Sequence, residues 1–229
     1  MTDAASSPSS ARPPRRPPWQ RPELPGSFTV EETATRIGHY LWLERRLFEL
    51  LGGWVAFVPF PDARTLLGRQ CFHHSFHAEL WYRRLPELGE LTEERLVVSP
   101  GPEVEGFVDA FAGVDPTALF EESGGRPDPA ELQVAALDWL IGHTRVLLPQ
   151  LLAAYTFHRN NVATVTDAPT MRILDLCLAD VADDWREAEL VLQGLLIEPS
   201  DIQRAATRTA NLTTLLVEAG GVVGADSVR

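Results

Sequence analysis

Lysine is absent from this 229-residue chain. Its 20 basic residues are all arginines, set against 32 acidic ones, for a net charge of −12. With the abundance of alanine, leucine, proline and aspartate, that bias points to a high-GC bacterial genome. Cysteine is nearly absent: Cys71 and Cys177 lie in separate apolar segments with no paired spacing. Two such residues build neither a disulfide framework nor a cysteine-type zinc site, so a reducing cytoplasm is the expected setting. They read as small core residues. No apolar run reaches the ~20 residues of a membrane span, and the N-terminus lacks the apolar stretch of a secretion signal. Strand-like alternation of useful length is missing as well, which excludes a sheet-based domain.

The acidic balance excludes a further class. Residues 1–26 carry four arginines against Asp3 and Glu23, so the rest of the chain is about −14. A body this acidic repels phosphate backbones and shows no local basic patch, so nucleic acid is not an expected partner. The run Ala11-Arg12-Pro13-Pro14-Arg15-Arg16-Pro17-Pro18 is too rich in proline for a helix or strand. Residues 1–26 are therefore expected to be a disordered leader, with polyproline-type docking as its alternative use. Residues 27–219 form the expected domain, one core being enough for a chain of this length at 45% hydrophobic content. Residues 220–229, opening with Gly220-Gly221, are expected to be a flexible tail.

Within the domain, five long segments read as helices. Thr29 with Glu32 makes a capping box ahead of Ile37, Tyr40, Leu41, Glu44, Leu47, Phe48 and Leu51, and Pro59 and Pro61 close the segment. Asp62 is expected to cap a second helix, to about Leu85. Asp128-Pro129-Ala130-Glu131 is the strongest start signal, opening a third helix to about His158 that Pro149 should kink. A fourth runs from about Pro169 to Leu196, and Ser200 with Gln203 is expected to cap a fifth. Short turns join the first and second helices and the third and fourth. The connection from Pro86 to Arg126 is long and holds at most short helices near 103–111 and 117–122. Two antiparallel hairpins with one long crossover is the connectivity of ferritin-like bundles, so the expected fold is an all-α, ferritin-like four-helix bundle with an additional C-terminal helix.

Several polar residues fall on apolar faces. Glu44 sits among Tyr40, Leu41, Leu47, Phe48 and Leu51, and a buried carboxylate needs a metal, a cation or a proton. On the second helix Leu67, Gln70, His74, His77 and Trp81 share one stripe. Counting from the intervening turn brings Glu44 level with a point between the two histidines. Two imidazoles and a carboxylate suit one divalent first-row metal with open positions, so Glu44, His74 and His77 are the expected metal ligands. His143 and Asp184, brought near one level by the turn between the third and fourth helices, are candidate catalytic residues, and Tyr40 joins them as a core phenol beside Glu44. His73 reads as a boundary residue and Glu79 as a surface partner of Arg83. Asp180, Asp183, Glu187 and Glu189 read as solvated charges.

Over residues 30–197 the chain resembles the ferritin-like di-iron carboxylate superfamily, and within it most nearly the bacterial tRNA-hydroxylase-like branch. The resemblance rests on Trp42-Leu43-Glu44 with Phe48-Glu49-Leu50-Leu51, on the histidine-rich segment 69–81, and on Asp167-Ala168-Pro169-Thr170-Met171-Arg172 leading into Leu178-Ala179-Asp180. The superfamily takes one glutamate from each of two helices and Glu-x-x-His from each of the other two. Glu44 and His77 match; His74 stands where a glutamate is expected, Val181 where another is, and Asp184 where a histidine is. With the carboxylates depleted, the resemblance implies one metal, iron first, rather than two. The expected function is an oxidase or oxygenase acting on a small molecule, in a chain free of membranes; a homodimer is compatible. Two other readings stay open: a metal-free enzyme using the polar core for acid–base chemistry, and a non-catalytic scaffold or partner subunit.

Overall fold

A computed structural model describes residues 28–86, 89, 91–125, 127–163 and 165–224. The expected disordered leader lies outside them. The described residues are all-helical, without a strand, and none of their helices is long and apolar enough to cross a membrane.

Helix α1, Val30–Val55, starts on the capping box. The Glu32 amide donates to Thr29 Oγ1 at 3.1 Å and the Thr29 amide to Glu32 Oε2 at 2.7 Å. Such a cap stabilises a helix by about 1 kcal/mol. Helix α2, Pro61–Arg84, begins differently from the reading above: Phe60 is its N-cap residue, with no side-chain cap, and Asp62 lies in the first turn. Pro61 makes that workable, because its missing N–H is one that a helix start leaves unpaired anyway. Helix α9, Pro199–Glu218, repeats the pattern: Glu198 and Pro199 start it, and Ser200 is no cap.

The long crossover carries α3, Glu93–Leu96, α4, Pro102–Ala112, and α5, Pro116–Glu122. Helix α6, Pro129–Gly142, is capped by Asp128, whose carboxylate accepts the Ala130 amide at 2.9 Å. It continues through a π-helical turn, His143–Leu147, into α7, Leu148–Asn161. Pro149 lacks an N–H and its ring crowds the carbonyl one turn back. The expected kink takes the form of this wider turn, in which the Leu148 amide reaches back to the His143 carbonyl. Helix α8 is Ala168–Leu195.

Helix α1 packs on α2, α2 on α8, and α8 on α7. Ion pairs fix their directions: Arg145–Glu189 from the π turn and Arg159–Asp175 from α7 run this rod antiparallel to α8. Helix α9 lies against α4 and α6, and α3 against α1. One apolar core fills the interior, with Trp54 stacked on Trp139 at 5.6 Å near the α1–α2 turn. Residues 220–224 depart from a flexible tail: Val222 and Val223 are buried beyond the end of α9. The remainder of that expected tail lies outside the described residues.

Candidate metal centre

Glu44, His74 and His77 are fully enclosed, each at most 1% exposed. The apolar stripes of α1 and α2 carry them inward, since positions three and four apart share a helix face. One ligand atom from each lies within 4.8 Å of the others, so this buried group could hold a metal ion. His74 Nδ1 is 2.5 Å from Glu44 Oε2, and His77 Nδ1 is 3.4 Å from Glu44 Oε1. Tyr155 of α7 donates its hydroxyl to Glu44 Oε1. Trp81 Nε1–H in turn donates to the Tyr155 oxygen at 3.4 Å.

Behind His77 stands a second carboxylate. His77 Nε2 is 3.1 Å from Asp180 Oδ2, and one turn along, His73 Nδ1 is 2.8 Å from Asp184 Oδ2. These two His–Asp rungs bridge α2 and α8 and show that they run antiparallel. Asp180, read as a solvated charge, is thus only partly exposed and engaged with the site, because α8 lies close enough to α2 for its carboxylate to meet the His77 ring.

Electrostatics follow from this packing. Burial pushes the Glu44 carboxyl up, but His74 and His77 more than offset it and hold it at about 2. For His77, burial opposes the charge, while Asp180, Cys177 and Glu44 favour it and carry the ring well above its ordinary value. Burial holds His143 well below, with His74 adding to the effect. Burial and then the Glu44 charge push Tyr155 well up, so its hydroxyl stays a donor.

The other sequence-derived residues are placed less directly. His143, in the π turn, faces His74 with ring centroids 5.9 Å apart. Its Nε2 meets Gln70 Oε1 at 2.9 Å, and Gln70 Nε2–H donates to the Asp184 backbone carbonyl at 3.0 Å. His143 and Asp184 are therefore linked through Gln70 and the backbone. The Asp184 carboxylate itself points to His73 and, at 3.6 Å, to Arg69. Tyr40 is buried beside the site, edge-on to Tyr155 at 4.8 Å, but its hydroxyl donates to the Ala154 carbonyl at 3.3 Å and makes no bond to Glu44. Glu79 pairs with Arg83 at 2.6 Å on the surface.

The donor set fits a cation on one further observation. His74 Nε2 and His143 Nδ1 are buried without a hydrogen-bond partner among the described residues, whereas His77 Nδ1 has Glu44 Oε1 at 3.4 Å. Orphaned ring nitrogens in a dry core are costly unless something uses their lone pairs. Two imidazoles with one carboxylate match the preferences of divalent first-row metals. No family model matches the chain, and no curated protein or solved structure matches it either.

Proposed function

We propose that the chain is a ferritin-like oxidase or oxygenase that holds one divalent first-row cation, iron first, at Glu44, His74 and His77 and acts on a small molecule. The observation that carries this reading is the enclosed two-histidine, one-carboxylate group with a free nitrogen on His74 and Asp180 behind His77. A carboxylate on the far nitrogen of a ligating histidine orients the ring and raises its basicity. Four antiparallel rods with the long crossover after the second are consistent with the ferritin-like connectivity. Bound there, iron would supply electrons to dioxygen as the oxidant.

The protein's own groups do the rest. Tyr155 holds one Glu44 oxygen and leaves the carboxylate ionised. Asp180, 31% exposed at its side chain, joins His77 to solvent and gives protons a path to the enclosed carboxylate. His143, kept neutral by burial and with its Nε2–H donating to Gln70, keeps a lone pair on Nδ1 that can accept a hydrogen bond. Apolar walls exclude bulk water.

Incubating purified protein anaerobically with ferrous iron, followed by elemental analysis, tests the reading. One iron per chain, lost in Glu44→Ala and His77→Ala, is the expected result; no retained iron in the wild type overturns it.

One observation favours a second reading. Glu44 already touches both imidazoles and Tyr155 directly, which makes a closed acid–base array without a cation. In that case the core would act on its substrate by proton transfer, and turnover would survive strong chelation.

A further inference from the structure

A second polar cluster lies toward the start of α1, separate from Glu44. Arg36 is only 2% exposed, yet neither of its terminal nitrogens has a hydrogen-bond partner among the described residues. His158 of α7 is fully buried with both ring nitrogens unpartnered, and Thr33, one turn before Arg36, has an unpartnered buried hydroxyl. Aromatic rings hold the guanidinium in place: its carbon is 4.2 Å from the Phe28 ring centre and 5.3 Å from that of Phe157. His158 packs against Phe28 at 5.4 Å and along Tyr40 at 5.6 Å.

The rings satisfy the faces of the guanidinium but not its edge. Arginine offers five N–H donors and no acceptor, so the cluster is short of acceptors among the described residues. The neutral Tyr40 hydroxyl donates to Ala154 and stands beside the guanidinium as a weak acceptor, and Glu32, the carboxylate acting on Arg36 from one turn away, accepts the Thr29 amide. A buried cation without a counter-ion is among the costliest arrangements a core can carry. Burial accordingly lowers the Arg36 pKa from its ordinary value.

We propose that Arg36, His158 and Thr33 form a binding site for a small oxyanion, a carboxylate or phosphate group seated on the edge of the guanidinium. Two anion oxygens match the fork of Arg36, which favours flat, two-point recognition. His158 supplies one ring N–H and Thr33 a hydroxyl, so the site combines donors from α1 and α7. Phe157, whose ring centre is 5.3 Å from the guanidinium carbon, is 39% exposed, so the cluster lies close to the surface. This site is independent of the proposed metal chemistry.

The test uses the whole protein with acetate and with inorganic phosphate, each against sodium chloride at equal ionic strength. In the wild type, one of these anions should shift the His158 ring resonances saturably. At about ten times its dissociation constant it should also raise the thermal midpoint by about 3–6 °C. Acetate acting alone would assign a carboxylate; phosphate acting alone would assign a phosphoryl group; a response to both leaves the oxyanion class intact. Arg36→Met should abolish the response and Thr33→Val should weaken it several-fold. If Arg36→Met fails to fold, the wild-type titration and Thr33→Val still decide. No saturable shift with either anion, or an equal response in a folded Arg36→Met, overturns the proposal and leaves Arg36 as a cation held by aromatic rings alone.

Discussion

Tyr155 and Glu44 meet across the core, the phenol of α7 donating to the carboxylate of α1 with no water between them. Their contact ties together two helices that share few close backbone approaches. Removing the hydroxyl leaves a buried charged acceptor short of a donor and strands the Trp81 N–H, while Phe keeps the ring packing on Tyr40. Tyr155→Phe should therefore destabilise the fold by about 1–3 kcal/mol. Denaturant unfolding of the two proteins measures this directly, and equal midpoints would mean that the hydroxyl contributes nothing.

Asp180 offers a test that leaves all three expected ligands in place. Asp180→Asn keeps the shape but removes the negative charge behind His77. Metal affinity should fall roughly 10–100-fold, as it does when such an outer carboxylate is lost. Competition against a chelator of known strength reads the change; an unaltered affinity would detach Asp180 from the site.

His158 predicts how stability responds to acid. Burial, and then the Arg36 charge, hold its folded pKa at about 3, against about 6.5 in an unfolded chain. The groups facing it are Arg36 and Tyr40 of α1. Since the unfolded state takes up the proton first, this residue favours folding fully above pH 6.5 and progressively less as pH falls toward 3. The slope approaches 1.4 kcal/mol per pH unit, so between pH 6.5 and 5 the wild type should lose roughly 2 kcal/mol more than His158→Phe. Urea titrations of both proteins at the two pH values would expose a discrepancy.

Gly38 separates helix propensity from packing. A β-carbon there would sit 2.1 Å from the Leu96 carbonyl oxygen, which belongs to the backbone of α3 and has no easy retreat. Alanine gains about 1 kcal/mol in helix propensity at an open site. Overpacking costs typically 1–3 kcal/mol and is severe at this distance, so Gly38→Ala should destabilise. A thermal midpoint above that of the wild type would show that α3 can lift away.

Why Glu44, His74 and His77 were legible and Tyr155 was not comes down to helix phase. On α1 and α2 the apolar stripes are clean, and an inward polar residue stands out against them. The third rod is apolar on several faces, and its phase shifts partway. On an unbroken α-helix His143 and Tyr155 would point about 120° apart. The π turn inserts about one residue, or 100°, and brings both to the same side. Pro149 hinted at an irregularity but not at its sense. Asp180 escaped for another reason: its neighbours on α8 read as a charged outer face, and only the approach of α2 reveals a partner. The start of α2 shows a milder miss, because Pro61 needs no side-chain cap and so displaced the boundary expected at Asp62.

The His–Asp rungs between α2 and α8 repeat at the same four-residue step on both helices. Sliding one helix by a turn would set His77 opposite Asp184, or His73 opposite Asp180, and so keep one rung while losing the other. The interface works like a vernier, with a best alignment and two half-matched ones beside it. Only the observed alignment closes both rungs at once, so the pairing of His73 with Asp184 helps to keep Asp180 behind His77.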